Sequence, residues 1–146
     1  MVHNFEAFPE LTNTQMQFYY FDSPHKQITQ SFEAKVHKVH DGDTISVRCK
    51  EREFQFPIRL ANTASPELNE EGGREAQQWL EGQILGDLVY IIIDPNNRVE
   101  KWGRLLGTVI HKGIDIGSIE NMLGFSKPWE NRDEGKIKNP VKSPFT

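Results

Sequence analysis

A β-rich α+β domain is the fold this sequence predicts: a small barrel of five strands, with a helix between strands 3 and 4, a short second helix, and extended N- and C-terminal tails. Three observations predict it. From Phe32 onward, three short runs alternate apolar and polar residues and are separated by brief turns. A single segment of helical spacing follows, and two further apolar runs come after it, parted by turn residues.

Phe32 to Val39 alternates strand-fashion and is the first strand. The Asp41-Gly42-Asp43 turn leads into Thr44 to Cys49, the second, and Phe54 to Ala61 is the third. Turns this short make the three an antiparallel meander. Asn62 to Glu71 is a polar loop, the natural place for a site carried on a rigid scaffold. Gly72 to Leu85 reads as a helix, because Ala76, Trp79, Leu80, Gln83 and Ile84 recur at helical spacing and Gly86 stops it. Leu88 to Ile93 is a near-continuous apolar run, expected to be a buried fourth strand, and Asp94-Pro95-Asn96-Asn97 breaks it. Leu105 to His111 is the fifth strand. Ile116 to Leu123 is a short second helix closed by Gly124. This set and order suit an OB-fold barrel with a capping helix, a fold common among oligonucleotide binders, although fold does not by itself settle function.

Residues 32–125 form the domain, and the flanks differ from it. Residues 1–31 form an N-terminal arm in which Phe5, Phe8, Phe18, Tyr19, Tyr20 and Phe21 stand among prolines, glutamines and threonines. No helical period runs through it, and its Gln17 to Phe21 run reads as one short strand. An arm so poor in aliphatic residues is expected to be mobile unless its own domain or a partner holds it. Residues 126–146 form an extended tail in which Pro128, Pro140 and Pro144 forbid a long helix.

At 146 residues the chain is long enough for one core. Its net charge of -4 and pI near 5.7 argue against a broad grip on nucleic acid, which draws on phosphate neutralisation. A mean hydropathy of -0.61 fits polar segments outside the core. Cys49, the lone cysteine, excludes an internal disulfide, is compatible with a reduced compartment and is expected to be a small buried strand residue. His37 and His40 lie three apart on a strand, so they face opposite ways and do not make a metal pair. No basic segment followed by a long apolar run opens the chain, and no stretch approaches a membrane span. The expectation is therefore no signal peptide, no membrane, and a cytoplasmic or virion-associated protein.

Three separated pieces carry reactive chemistry: Asp43 in the first turn, Arg59 and Glu67 around the polar loop, and Arg104 in Lys101-Trp102-Gly103-Arg104. Hydrolysis of a phosphodiester needs a base to take a proton from water, and cations where charge grows on the phosphoryl oxygens. A metal often clamps one of those oxygens. Glu67 suits the base, Arg59 and Arg104 the cations, and Asp43 a hard oxygen ligand for Ca²⁺. Lys101 and Trp102 are the substrate-binding candidates, the indole by stacking on a base, and Trp129 is a weaker candidate for the same role.

In order and approximate spacing, Asp41-Gly42-Asp43-Thr44, Arg59-Leu60 with Pro66-Glu67, Gly72-Gly73-Arg74-Glu75-Ala76 and Lys101 to Gly107 resemble the staphylococcal (micrococcal) nuclease-like, or thermonuclease, family. The resemblance covers about Phe32 to Phe125 and is most specific from Arg59 to Glu67. It implies that Arg59, Glu67 and Arg104 match the family's catalytic trio, that Asp43 is its first calcium ligand, and that Ser65 offers a backbone carbonyl to the metal. It also implies attack that displaces the 5′ oxygen and leaves a 3′-phosphate. Ala64 departs from the pattern: the family has an aspartate there as second metal carboxylate, and a methyl group binds no cation. Ca²⁺ binding is accordingly expected to be weak or lost.

Two functions are compatible with these residues. The first is a metal-assisted nuclease hydrolysing single-stranded DNA or RNA. The second is a catalytically silent barrel serving as a structural or adaptor protein in a larger assembly such as a phage particle, gripping protein neighbours through residues 1–31 and 126–146. Both arginines and Glu67 favour the enzyme. Ala64, the acidic balance and the two tails favour the adaptor.

Overall fold

The computed structural model describes residues 5–6, 8–100 and 102–128. In chain order the elements are α1 (Asn13–Tyr19), a 3₁₀ turn (Tyr20–Asp22), β1 (Phe32–Asp41), β2 (Thr44–Cys49), β3 (Arg52–Leu60), α2 (Gly73–Ile84), β4 (Leu88–Ile92), β5 (Leu105–His111), β6 (Ile114–Asp115) and α3 (Ile116–Met122).

Strands β1, β2 and β3 form the antiparallel meander, β4 returns beside β1, and β5 lies antiparallel to β4. The circuit closes through a parallel pairing of β3 with β5, Ile58 opposite Leu105, Arg59 opposite Leu106 and Leu60 opposite Gly107. The result is a closed five-stranded mixed barrel of OB-fold type, with β6 as an extra strand on β5. Closure removes every sheet edge among the five strands, and each strand needs only one apolar face.

The core follows from that alternation. Val36, Ile45, Val47, Phe56, Ile58, Leu60, Ile91 and Leu105 fill the barrel, and Leu80 and Ile84 of α2 plug one side of it. β4 is not buried on both faces as its composition predicts. Val89 and Ile91 point inward while Leu88, Tyr90 and Ile92 are exposed, the alternation of an antiparallel strand with one face on the core and the other in solvent. Cys49 is half-buried rather than buried, at the end of β2 just past a register shift. The unexpected β6 arises from Lys112 and Gly113, both at positive φ (53° and 81°), the geometry of a two-residue hairpin.

The N-terminal arm departs most from expectation. Where a short strand is predicted, the chain forms α1 and then the 3₁₀ turn. Thr12 caps α1, accepting from the Gln15 amide at 3.1 Å, while the Gln15 side chain accepts from the Thr12 amide at 3.0 Å. Thr12-Asn13-Thr14-Gln15 is thus a capping box, a signal legible in sequence. Nor does the arm float. Leu11 is fully buried, Ile28 joins the core, and the Gln27 side chain accepts from the Leu11 amide while donating to Pro9 O. Truncating Leu11 to alanine is expected to destabilise the fold by about 2–5 kcal/mol, the usual cost of a buried leucine, measured by urea denaturation. A change below about 0.5 kcal/mol would show that the arm is not part of the folded unit.

Candidate active site

The turn between β1 and β2 sets the first carboxylates. Asp41 Oδ1 accepts from the Asp43 amide at 3.0 Å, which bends the chain through Gly42 and turns Asp43 toward the loop after β3. Asp43 is almost fully enclosed by donors: its Oδ1 accepts from Thr44 Oγ1 at 3.0 Å, its Oδ2 accepts from the Ser65 amide at 2.9 Å, and Arg59 Nη2 stands 3.4 Å from Oδ2.

Arg59 is 3% exposed. β3 places it opposite Thr44, and its Nη1 donates to Leu60 O at 2.9 Å and Thr63 O at 2.5 Å, fixing the entry of the polar loop. Arg104, just before β5, reaches the same turn from the other side. Its Nη1 donates to Thr44 Oγ1 at 3.1 Å and its Nη2 to Glu100 Oε2 at 2.9 Å. Burial works against its charge, but Glu100, Asp43 and Asp41 outweigh burial and hold the guanidinium above its ordinary pKa. A continuous chain, Arg104–Thr44–Asp43–Arg59, therefore joins the two predicted cations through the predicted ligand.

Glu67 is exposed on the loop, its amide donating to Glu70 Oε1 at 2.8 Å. The loop lies tightly on the start of α2: a Cβ on Gly73 would fall 1.8 Å from Glu67 O, so the second glycine of the Gly72-Gly73 pair is what allows the approach. Glu67 is near enough to act on Asp41. That carboxyl is pushed up to about 7, chiefly by burial, then by the charge of Asp43 and a hydrogen bond to its side chain, with Glu67 adding a smaller push. Trp102 is 64% exposed beside Arg104. Ser65 stands at Asp43 through its amide, and its hydroxyl lies 3.3 Å from Pro66 O. Ala64 pairs with Lys127, each amide donating to the other's carbonyl (2.7 and 2.9 Å), so the chain leaving α3 runs along the loop. The predicted residues Lys101 and Trp129 lie outside the described residues.

Asp43, Arg59, Ser65 and Arg104 are thus brought together, with Glu67 at their rim. His37 is exposed and His40 pairs with Ser46 Oγ at 2.7 Å, while burial and the charges of Lys38 and Arg104 lower its pKa. Among the described residues no three His, Cys, Asp or Glu side chains are drawn together as a ready coordination shell. Asp41 and Asp43 do stand side by side on one turn as hard oxygen groups, and the Asp41 carboxyl feels the charge of Asp43 and, less, of Glu67.

Sequence reasoning missed Asp41, Thr44, Glu100 and Glu120. The last is the least expected. Glu120 sits on α3, four residues after the buried Ile116, and is fully buried with neither carboxylate oxygen hydrogen-bonded. It lies behind the turn, where a Cβ on Gly42 would come 2.7 Å from its Oε2. Burial above all, then the charges of Asp43 and Asp41, push its pKa up to about 8, against weaker help from Ser126 and Arg59. The Ser126 hydroxyl is already committed to Asn121 Oδ1 at 2.7 Å. A folded pKa raised above the unfolded value of 4.5 means that the folded state binds the proton more tightly. Stability from this group is complete below that value and is lost as pH climbs to about 8. Glu120→Leu is expected to remove that loss. Its stability gain over the natural chain should grow from about pH 5 to about pH 8.5 and reach a few kcal/mol, read from thermal melts at both pH values. A gain equal at both would refute a buried, proton-holding acid.

No protein-family model matches the chain. It is similar to a protein of Bacillus anthracis described as uncharacterized, 28% identical over 100 residues, which cover 66% of this chain and 47% of that protein. The chain thus matches about half the length of that relative. No helix among the described residues is long and apolar enough to cross a membrane.

Proposed function

We propose that the chain is a phosphodiesterase acting on single-stranded DNA or RNA, a nuclease of the thermonuclease type. The observation that carries the reading is the Arg104–Thr44–Asp43–Arg59 chain, which sets two arginines on either side of one carboxylate with an exposed glutamate at the rim. Glu67 is the base for the attacking water, at the solvent face where water is available. Arg104, with its side chain 30% exposed, meets the phosphoryl oxygens, and Arg59 supplies positive charge from within the wall. Trp102 offers a face for a base, which tolerates any sequence.

A divalent cation, Ca²⁺ first among them, would be held by Asp43 with Asp41 and the Ser65 carbonyl, and would supply Lewis-acid clamping of a phosphate oxygen. Three donors already occupy Asp43, and Ala64 contributes none. We therefore expect Ca²⁺ to bind with a Kd on the order of 10⁻³ M or weaker, and Ala64→Asp to tighten it by about tenfold or more, measured by titration calorimetry. Tight binding by the natural chain would mean that ligands other than these complete the shell.

The deep burial of Arg59 favours a second reading, in which the cluster only holds loops together and the barrel is an adaptor in a larger assembly. Hydrolysis of denatured DNA in Ca²⁺, Mg²⁺, Mn²⁺ and EDTA separates the two. The nuclease reading predicts metal-dependent cleavage that falls about 10²–10⁴-fold in Glu67→Gln, with the fold retained. A folded protein that cleaves under none of these conditions would leave the adaptor reading in possession.

A further inference from the structure

We infer that residues 8–28 clamp the loop that presents Arg104, with Phe8 and Glu10 as positioning residues for that arginine. The inference rests on the proposed phosphodiester site and adds to it the means by which one of its cations is held in place.

The segment 93–104 joins β4 to β5, and among its described residues the regular pairing is a single isolated bridge, Val99 to Leu105. A cation at the end of such a connection is useful in catalysis only if the connection is fixed, since small misplacements of a reacting group are costly. Both ends of this loop are held from the arm. At one end Arg98, 3% exposed, donates from Nε to Ile28 O at 2.9 Å, from Nη1 to Leu11 O at 2.8 Å and Asn13 Oδ1 at 3.2 Å, and from Nη2 to Glu10 Oε1 at 2.8 Å. All four acceptors belong to the arm. Glu10 passes the attachment on to the barrel, because its Oε2 bonds to Arg52 Nη2 on β3 and both side chains are sealed from solvent. Arg52 also donates to Lys26 O at 2.8 Å, and its guanidinium lies 4.6 Å from the Phe56 ring centroid.

At the other end, Phe8 packs on the backbone immediately before Arg104. Gly103 adopts φ +86°, and a Cβ there would fall 2.5 Å from Phe8 Cδ1, so the ring rests directly against the Gly103 backbone. Between the two anchors the loop is knit to itself. The Gly103 amide donates to Glu100 O at 2.8 Å and the Glu100 amide to Arg104 O at 2.9 Å, while Glu100 Oε1 accepts from the Trp102 and Arg104 amides at 2.8 and 3.1 Å. The Leu106 amide donates to Arg98 O at 2.7 Å, so the anchored Arg98 also sets where β5 begins. Releasing either anchor frees Glu100 and, with it, the partner that aims Arg104 Nη2.

The full-length protein tests this through Phe8→Ala, Phe8→Leu and Glu10→Gln. Amide hydrogen exchange would be followed at Trp102, Gly103 and Arg104, alongside kcat and KM on denatured DNA. We expect Phe8→Ala to keep the circular dichroism and melting behaviour of the barrel and to speed exchange at these three amides about tenfold relative to β1–β3. It should also lower kcat about tenfold with KM nearly unchanged, and Phe8→Leu should restore both. Glu10→Gln should act similarly over a wider part of the loop. If it does not fold, Phe8→Ala decides, because Phe8 is 42% exposed and its loss leaves the core intact. Exchange in Phe8→Ala equal to that of the natural chain overturns the clamp. So does a kcat in Phe8→Ala equal to that of the natural chain, where the natural chain cleaves. Faster exchange in a protein that never cleaves upholds the clamp and removes the nuclease reading instead.

Discussion

The three parallel pairs between β3 and β5 are the constraint from which the rest of the arrangement follows. Arg59 and Arg104 lie far apart in sequence, and no local turn brings them near each other. Closing the barrel does, because Arg59 pairs with Leu106 and so stands across from the residues just after Arg104. The β1–β2 turn then falls between them, since Thr44 is the β2 residue opposite Arg59. A backbone register fixed by burial of Ile58, Leu60 and Leu105 thereby decides which charges meet.

Much of the barrel was legible because its strands obey a simple rule: an alternating run bounded by turn residues needs one buried face, and five such runs in this order close in few ways. The helix between β3 and β4 was equally plain, with Ala76, Leu80 and Ile84 on its buried face. The arm was not legible, and the reason is physical. Its attachment to the barrel comes from Glu10, which pairs with Arg52 and Arg98, while Gln27 ties the arm to itself at Leu11 and Pro9; these are polar groups that composition assigns to the surface and that the fold buries. The same blindness hid Glu120, an acid on an apolar helical face whose surroundings exist only once α3 packs behind the turn. Barrel closure gathers Asp43, Arg59, Ser65 and Arg104, which sequence places in three separate pieces, into one cluster. What sequence could not supply was their degree of engagement, above all that Arg59 is buried and Asp43 already holds three donors.

Negative charge is concentrated behind and around the Asp41-Gly42-Asp43 turn, and positive charge is supplied to it from two directions. Asp41 and Glu120 both hold their protons more firmly than free carboxyls do, first because burial disfavours their charge and then because neighbouring carboxylates repel it. Such frustration is typical of sites that receive a charged ligand, and it also occurs in purely structural ion networks.

The two sets of ion pairs differ in one respect that ordinary buffers expose. Glu10, Arg52 and Arg98 are shut away from water, whereas Arg104 remains 30% exposed beside Glu100. At an ionic strength of 1 M the screening length shrinks to roughly 3 Å, which reaches the outer pair and any phosphate approaching it but does not enter the sealed cluster. Added salt therefore acts on the molecule in layers. The attraction for anions fades first, while the internal lattice of charges that fastens the arm to the barrel persists until the fold itself gives way.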